Sequence, residues 1–369
     1  MIHTATCRII TSSFPLLLLF SNLCHGLVET CEELQAAFDL TKTQDVVIEV
    51  YPFVDIDCAN FTTMSMDSNT LTVKSSEDLS TFSGNSDLRE VRFEVINGAK
   101  LFWETNVEFH GTNKQDVNGG GVFVGEGSTV RFLNDLSMTD IGVLSVTDES
   151  SDFASYELSG GCVYTDGYLR VDGEATFTRC DVTGGGESSP GPGGALYVGS
   201  QGSVLFNGAL KISDVTIRDD EGNNGAGIYN EGKVNIKGNA KFDYLRAESG
   251  GAIFNTLGAQ FYFRDKATAL FIDCSAADGI AGALLNNGYF KFSGPALFVN
   301  TDSPSIYVSS TGETVLSENS VFWDNEDTNS PAILVSSGGK LDIPSSVTFI
   351  DDVESDCSTV YYDETGTCL

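Results

Sequence analysis

The sequence predicts an all-β fold, a right-handed parallel β-helix with a short N-terminal capping helix. Three observations predict it. A glycine-rich segment ending in apolar residues recurs along the chain. Each copy is followed by short stretches in which apolar and polar residues alternate. Helical periodicity occurs once, near the N-terminus.

Near the N-terminus a single charge, Arg8, precedes an apolar run from Phe14 to Phe20, with Cys24 and Gly26 at the −3 and −1 positions of a cleavage site. This is the layout of a secretory signal peptide, and the run is too short to span a membrane. Pro15 inside the run argues against an ordinary buried helix. No later stretch is long and apolar enough to span, and the last residues form no hydrophobic tail for a lipid anchor. The expected organisation is a signal peptide at 1–26, a cap with the first strands at 27–60, β-helix repeats at 61–350 and a C-terminal cap or tail at 351–369. The expected location is extracellular, including the cell wall or cell surface.

After the leader, Glu32 to Leu40 is amphipathic and precedes VVIEV at Val46–Val50. A helix there would close the open end of an apolar column, as solenoid ends require. The repeats then run GGGVFV (Gly119–Val124), GGCVYT (Gly160–Thr165), GGALYV (Gly193–Val198), GAGIYN (Gly225–Asn230), GGAIFN (Gly250–Asn255) and AGALLN (Ala281–Asn286), with a faded copy, SPAILV, at Ser330–Val335. Most lie about 25 to 40 residues apart, a solenoid spacing. After each comes a glycine-containing turn and a short strand such as VRF (Val130–Phe132), LRV (Leu169–Val171) or FKF (Phe290–Phe292). A second short strand follows, for example ALF from Ala269.

Strands this short are not stable alone. Stacked coil on coil, about 4.8 Å apart, they pair along the axis and bury one apolar column. Glycine and asparagine at the corners are expected to supply positive φ. A propeller or sandwich fits less well, because a propeller blade has longer strands and steadier spacing.

The chain has 20 Lys and Arg against 52 Asp and Glu, a net charge of −32, and loss of 1–26 removes one arginine and no acid, leaving −33. Such a field repels phosphate, which excludes nucleic acid as a partner. With 41% hydrophobic and 10% aromatic residues the chain can nevertheless build a core. Of nine cysteines, two fall in the leader. Proximity in sequence pairs Cys31 with Cys58 and Cys357 with Cys368, pinning both ends. Of Cys162, Cys180 and Cys274, at least one is left unpaired or pairs between chains, and one is expected to serve as a small buried hydrophobe.

GGAIFN and GAGIYN, with Phe-x-x-Asn at Phe322–Asn325, resemble the repeats of polymorphic outer membrane proteins, which pair Gly-Gly-Ala-Ile with Phe-x-x-Asn. At Phe177–Cys180 and Phe271–Cys274 a cysteine replaces the asparagine. The resemblance covers about residues 95 to 350 and implies an extracellular, adhesin-like passenger. The β-helix is also the fold of the pectin-lyase-like superfamily of polysaccharide lyases, epimerases and hydrolases, which implies an alternative reading as a polysaccharide-active enzyme.

The residues themselves offer no catalytic set. His110 is the only histidine past the leader, in EFHG, and reads as a strand-end surface residue. Asp219, Asp220 and Glu221, like Asp351 and Asp352, read as solvated turns before they read as paired carboxylates or a calcium site. No cofactor is expected, calcium being the one ion the acidity admits, and no zinc cluster is present. Asn60-Phe61-Thr62 is a glycosylation sequon. In the alternating strands the middle residue should point outward, giving a column of Phe102, Arg131, Arg170, Leu205, Asn235, Tyr262, Lys291 and Asp342. Its cations and rings mark a possible binding face at Phe102, Arg131, Arg170, Tyr262 and Lys291, suited to an anionic glycan or an acidic partner. The expected function is that of a non-enzymatic structural or adhesion component, with extracellular polysaccharide or a surface protein as partner.

Overall fold

The computed structural model describes residues 24–50, 55–75, 85–115, 118–145, 159–184, 192–217, 224–302, 304–323, 331–350, 360–363 and 367–368. Among the described residues the fold is all-β apart from one short helix, and the chain winds into a parallel β-solenoid. Each coil contributes one strand to a twelve-stranded parallel sheet, the first face. Its other strands belong to a 22-stranded sheet in which two ladders run side by side. Asn85–Val95 shows how they join. Its first half pairs with Asn106–Gln115 on the second face, and its last residues pair with Val122–Val124 on the third.

The bend between those halves rests on one residue per coil in the left-handed region. Glu90, Gly111, Asp140, Arg179, Asp214, Tyr244, Asp273 and Asn300 all have positive φ. The pairing register makes these positions equivalent from coil to coil. Aspartate and asparagine tolerate this conformation better than other non-glycine residues, which accounts for four of the eight. The short polar stretches that follow a phenylalanine in the sequence are these corners.

The glycine motif supplies a second corner. Its first glycine has φ between 59° and 80° at Gly119, Gly160, Gly193, Gly225 and Gly250. Ala281 takes the same conformation at φ 63° and is fully buried. The next glycine is required by contact between coils, since a Cβ on Gly161 would collide with the carbonyl oxygen of Gly194. The motif asparagines behave differently from the expectation of positive φ. Asn230, Asn255 and Asn286 end third-face strands, wholly buried, and link coils through their side chains. The Asn230 amide donates to Asn255 Oδ1 at 2.7 Å, Asn255 to Asn286 Oδ1 at 2.8 Å, and Asn286 to Thr314 Oγ1 at 2.9 Å. A buried amide is tolerated because its polar atoms are paired, and the repeat places the partner one coil away.

The core is one continuous column. Phe242, Phe271, Phe298, Phe322 and Phe349 stack face to face with centroids 4.6–5.0 Å apart, the coil repeat itself. At the N-terminal end the helix Cys31–Leu40 closes this column. Thr30 and Glu33 form a capping box, and Glu32 and Glu33 sit at the positive end of the helix dipole. Leu34, Ala37 and Phe38 are buried, and Phe38 stacks on Phe93 at 4.9 Å. A strand that sequence reasoning did not anticipate precedes the helix: Cys24–Val28 pairs in parallel with Val46–Val50. The cleavage point expected after Gly26 falls inside it.

Two disulfides are formed among the described residues. Cys31–Cys58 ties the cap to the first second-face strand, as spacing suggested. Cys162–Cys180 joins the glycine corner to the aspartate-type corner of one coil, and Cys274 is a free, buried thiol. Cys357 lies outside the described residues, as does the side chain of Cys368. Among the described residues, no helix is long and apolar enough to cross a membrane.

Candidate binding faces

The outward column of the first face is assembled in register. Phe102 pairs with Arg131, Arg131 with Arg170, Arg170 with Leu205, Leu205 with Asn235, Asn235 with Tyr262, and Tyr262 with Lys291. Between Lys291 and Asp342 the structure inserts Val315, from a strand at Glu313–Val315 that the sequence pattern did not reveal. The column is half-buried down to Val315 and exposed at Asp342.

Charge on this face departs from the rest of the molecule. Its strands carry seven basic residues (Lys74, Lys100, Arg131, Arg170, Lys233, Lys291, Lys340) and three acidic ones (Glu49, Glu313, Asp342). The whole chain has 20 against 52. Part of that charge is cancelled locally by Asp172, just beyond the strand Tyr168–Val171. It binds Arg131 at 2.7 Å and Arg170 at 2.6 Å, and it accepts from the Asn207 amide. Burial on its own would raise the Asp172 carboxyl, but the donors Arg170, Asn207 and Arg131 together hold it below the usual carboxylate range. Two guanidiniums against one carboxylate leave a net positive site. Further along, the Arg264 guanidinium lies 3.9 Å from the centroid of the Tyr262 ring, while its Nε donates to Asn235. Lys233 is exposed, and neither it nor Lys291 forms an ion pair among the described residues.

The third face has the opposite chemistry. Its strands, from Val122–Val124 to Val360–Tyr362, contain no charged residue. The middle residue of each points outward and stacks on the next. Phe123, Tyr164, Tyr197, Tyr229 and Phe254 form a ladder with centroids 4.8–5.4 Å apart and ring planes within 11° of parallel. The Tyr164 hydroxyl donates to Asp166 at 2.8 Å, and burial with that acid pushes its ionisation upward. The next rungs are Leu285, Tyr307, Leu334 and Tyr361. Where leucine replaces an aromatic ring, a groove of about 310 Å³ opens, lined by Phe254, Ile280, Leu285, Asn287, Pro304, Tyr307, Ser309 and Leu334. The signal for this ladder was present in the sequence. It is the fifth residue of every glycine motif, legible there only as part of the motif's apolar end.

The remaining candidates stay apart. His110 sits half-buried on Asn106–Gln115, 3.2 Å from Glu108. Asp219, Asp220, Glu221, Asp351 and Asp352 lie outside the described residues. Asn60 is on the strand Asp55–Met66, but its side chain is not among those described. Among the described residues, no three His, Cys, Asp or Glu side chains converge as a metal site. None of the protein-family models, curated proteins or solved structures compared with the chain matches it.

Proposed function

We propose that the protein is a secreted, non-enzymatic recognition solenoid of the cell surface or wall, whose first face binds an extended anionic polymer, acidic polysaccharide foremost. One observation carries this reading: seven basic strand residues against three acidic ones on a single sheet of a molecule with net charge −32. A line of cations repeating at the coil spacing matches a linear polyanion better than a compact ligand. The exposed edges of Phe102 and Tyr262 add apolar contact beside the charges. The Gly-Gly-Ala-Ile likeness to polymorphic outer membrane protein repeats supports an adhesive role, and the disulfides are compatible with an oxidising compartment.

The test compares wild type with the triple variant Arg131→Glu, Arg170→Glu, Lys291→Glu on immobilised acidic and neutral polysaccharides at low salt. Wild type should retain acidic polymers and lose them as salt is raised, and the variant should not bind. Equal binding by the variant, or none by wild type, removes the reading. Ultraviolet-absorbing unsaturated products from the same polymers would favour the pectin-lyase-like alternative instead.

A further inference from the structure

The third-face ladder stops at Phe254 and resumes at Tyr307, with Leu285 between them. One face of Phe254 is covered by Tyr229, at 5.1 Å and 11°. Its opposite face has no ring partner, because the next rung is leucine. Phe254 and Tyr307 are two coils apart, about 10 Å at the strand spacing. A six-membered ring in van der Waals contact on both sides takes up about 7–8 Å of that span. Leu285 forms the floor, only 6% exposed, and Ile280, 42% exposed, forms a wall.

The lining selects among ring ligands. Among the described residues no charged side chain borders the groove. Two neutral polar residues do, Asn287 and Ser309. The Asn287 side-chain amide, half-buried at the rim, makes no hydrogen bond among the described residues, although its backbone carbonyl accepts from Thr311. An apolar ring slot beside an unused amide fits a ligand with one apolar face and hydroxyls at its edge. A phenyl ring would fill the slot and leave the amide idle.

We propose that this gap is a binding site for one uncharged pyranose ring of a glycan, which takes the place of the missing rung between Phe254 and Tyr307. Its C–H face would pack on the aromatic faces, with Asn287 and Ser309 reaching its hydroxyls. The site is on a different sheet from the basic column and does not depend on it.

The test uses the full-length protein and saturation-transfer NMR with neutral oligosaccharides of glucose, galactose, mannose and N-acetylglucosamine. N-acetylphenylalanine amide serves as the aromatic control. At least one oligosaccharide should bind, with a Kd of about millimolar for a single-ring contact. Leu285→Phe, which supplies the missing rung with the residue already present at Phe254, should reduce binding at least tenfold. Asn287→Ala should weaken it about fivefold and tests the site independently of any packing change at Leu285. The triple charge reversal on the first face should leave it unchanged, so failure of one reading is distinguishable from failure of the other. The proposal is overturned if no neutral sugar binds, if both groove variants bind as wild type does, or if only the aromatic control binds, which would assign the slot to a protein side chain.

Discussion

The first and third faces follow one construction rule and reach different surfaces. Each places one outward residue per coil in register with the next. On the first face that residue varies, from Phe102 through Arg131 and Leu205 to Lys291. Its charges are organised by groups beside the column, chiefly Asp172. On the third face aromatic residues hold five consecutive rungs and each ring stacks on the next, with the Tyr164 hydroxyl held by Asp166 beside the ladder. The comparison teaches that stacking at the coil repeat stabilises a column only when its members are alike. A mixed column gains no continuous ring stack.

Five substitutions test this contrast. The largest effect is expected beneath the third face. Asn255→Leu strips a partner from both Asn230 and Asn286, leaving buried polar groups unpaired, and should destabilise the chain by about 3 kcal/mol in urea unfolding. Next, Tyr197→Ala removes two stacked pairs from the centre of the ladder and should lose about 2 kcal/mol. Leu205→Ala, on the first face, should lose less than half of that. Equal losses would dissolve the distinction between the faces.

Asp172→Asn should destabilise by about 1 kcal/mol near neutral pH and strengthen polyanion binding by releasing Arg131 and Arg170. Because the Asp172 carboxyl is held below its usual range, its stabilising contribution is present above the unfolded pKa of about 3.9 and is lost as pH falls through the lower folded value. Wild type and variant should therefore converge in stability in strong acid, and a gap that persists there would mean the ion pairs are not its source. The smallest effect is expected at Ala281→Gly. This removes a Cβ from a left-handed corner occupied by glycine in most other coils and should stabilise by about 0.5 kcal/mol.

The coil architecture, the capping helix and the Cys31–Cys58 bridge were legible because each rests on local pattern: alternation, amphipathicity and spacing. The first-face column was legible for the same reason, since alternation alone says which residue points out. Other features depend on what lies one coil away. Asn230, Asn255 and Asn286 look like turn residues in a single repeat, and only stacking turns them into a hydrogen-bonded column. Cys162 and Cys180 are 18 residues apart with a strand between them, so their pairing needs the coil to close first. The coil carrying Ile306–Val308 is not legible because Ser303 and Pro304 replace the glycines of the motif and Ser305 the alanine that SPAILV keeps. Cys24–Val28 was hidden by its overlap with the leader pattern.

The Cys162–Cys180 bridge has a consequence for engineering. Ala252 stands in the coil where Cys162 stands, immediately before a third-face strand, and Cys274 stands where Cys180 does, immediately after the left-handed corner. In a molecule made of superposable turns, a cross-link is a transferable part. Ala252→Cys should therefore let the free thiol of Cys274 close a second staple of this kind three coils further along. Loss of both the introduced thiol and that of Cys274 on mild oxidation would report it, and a chain in which both stay titratable would show that the turns are less interchangeable than their register suggests.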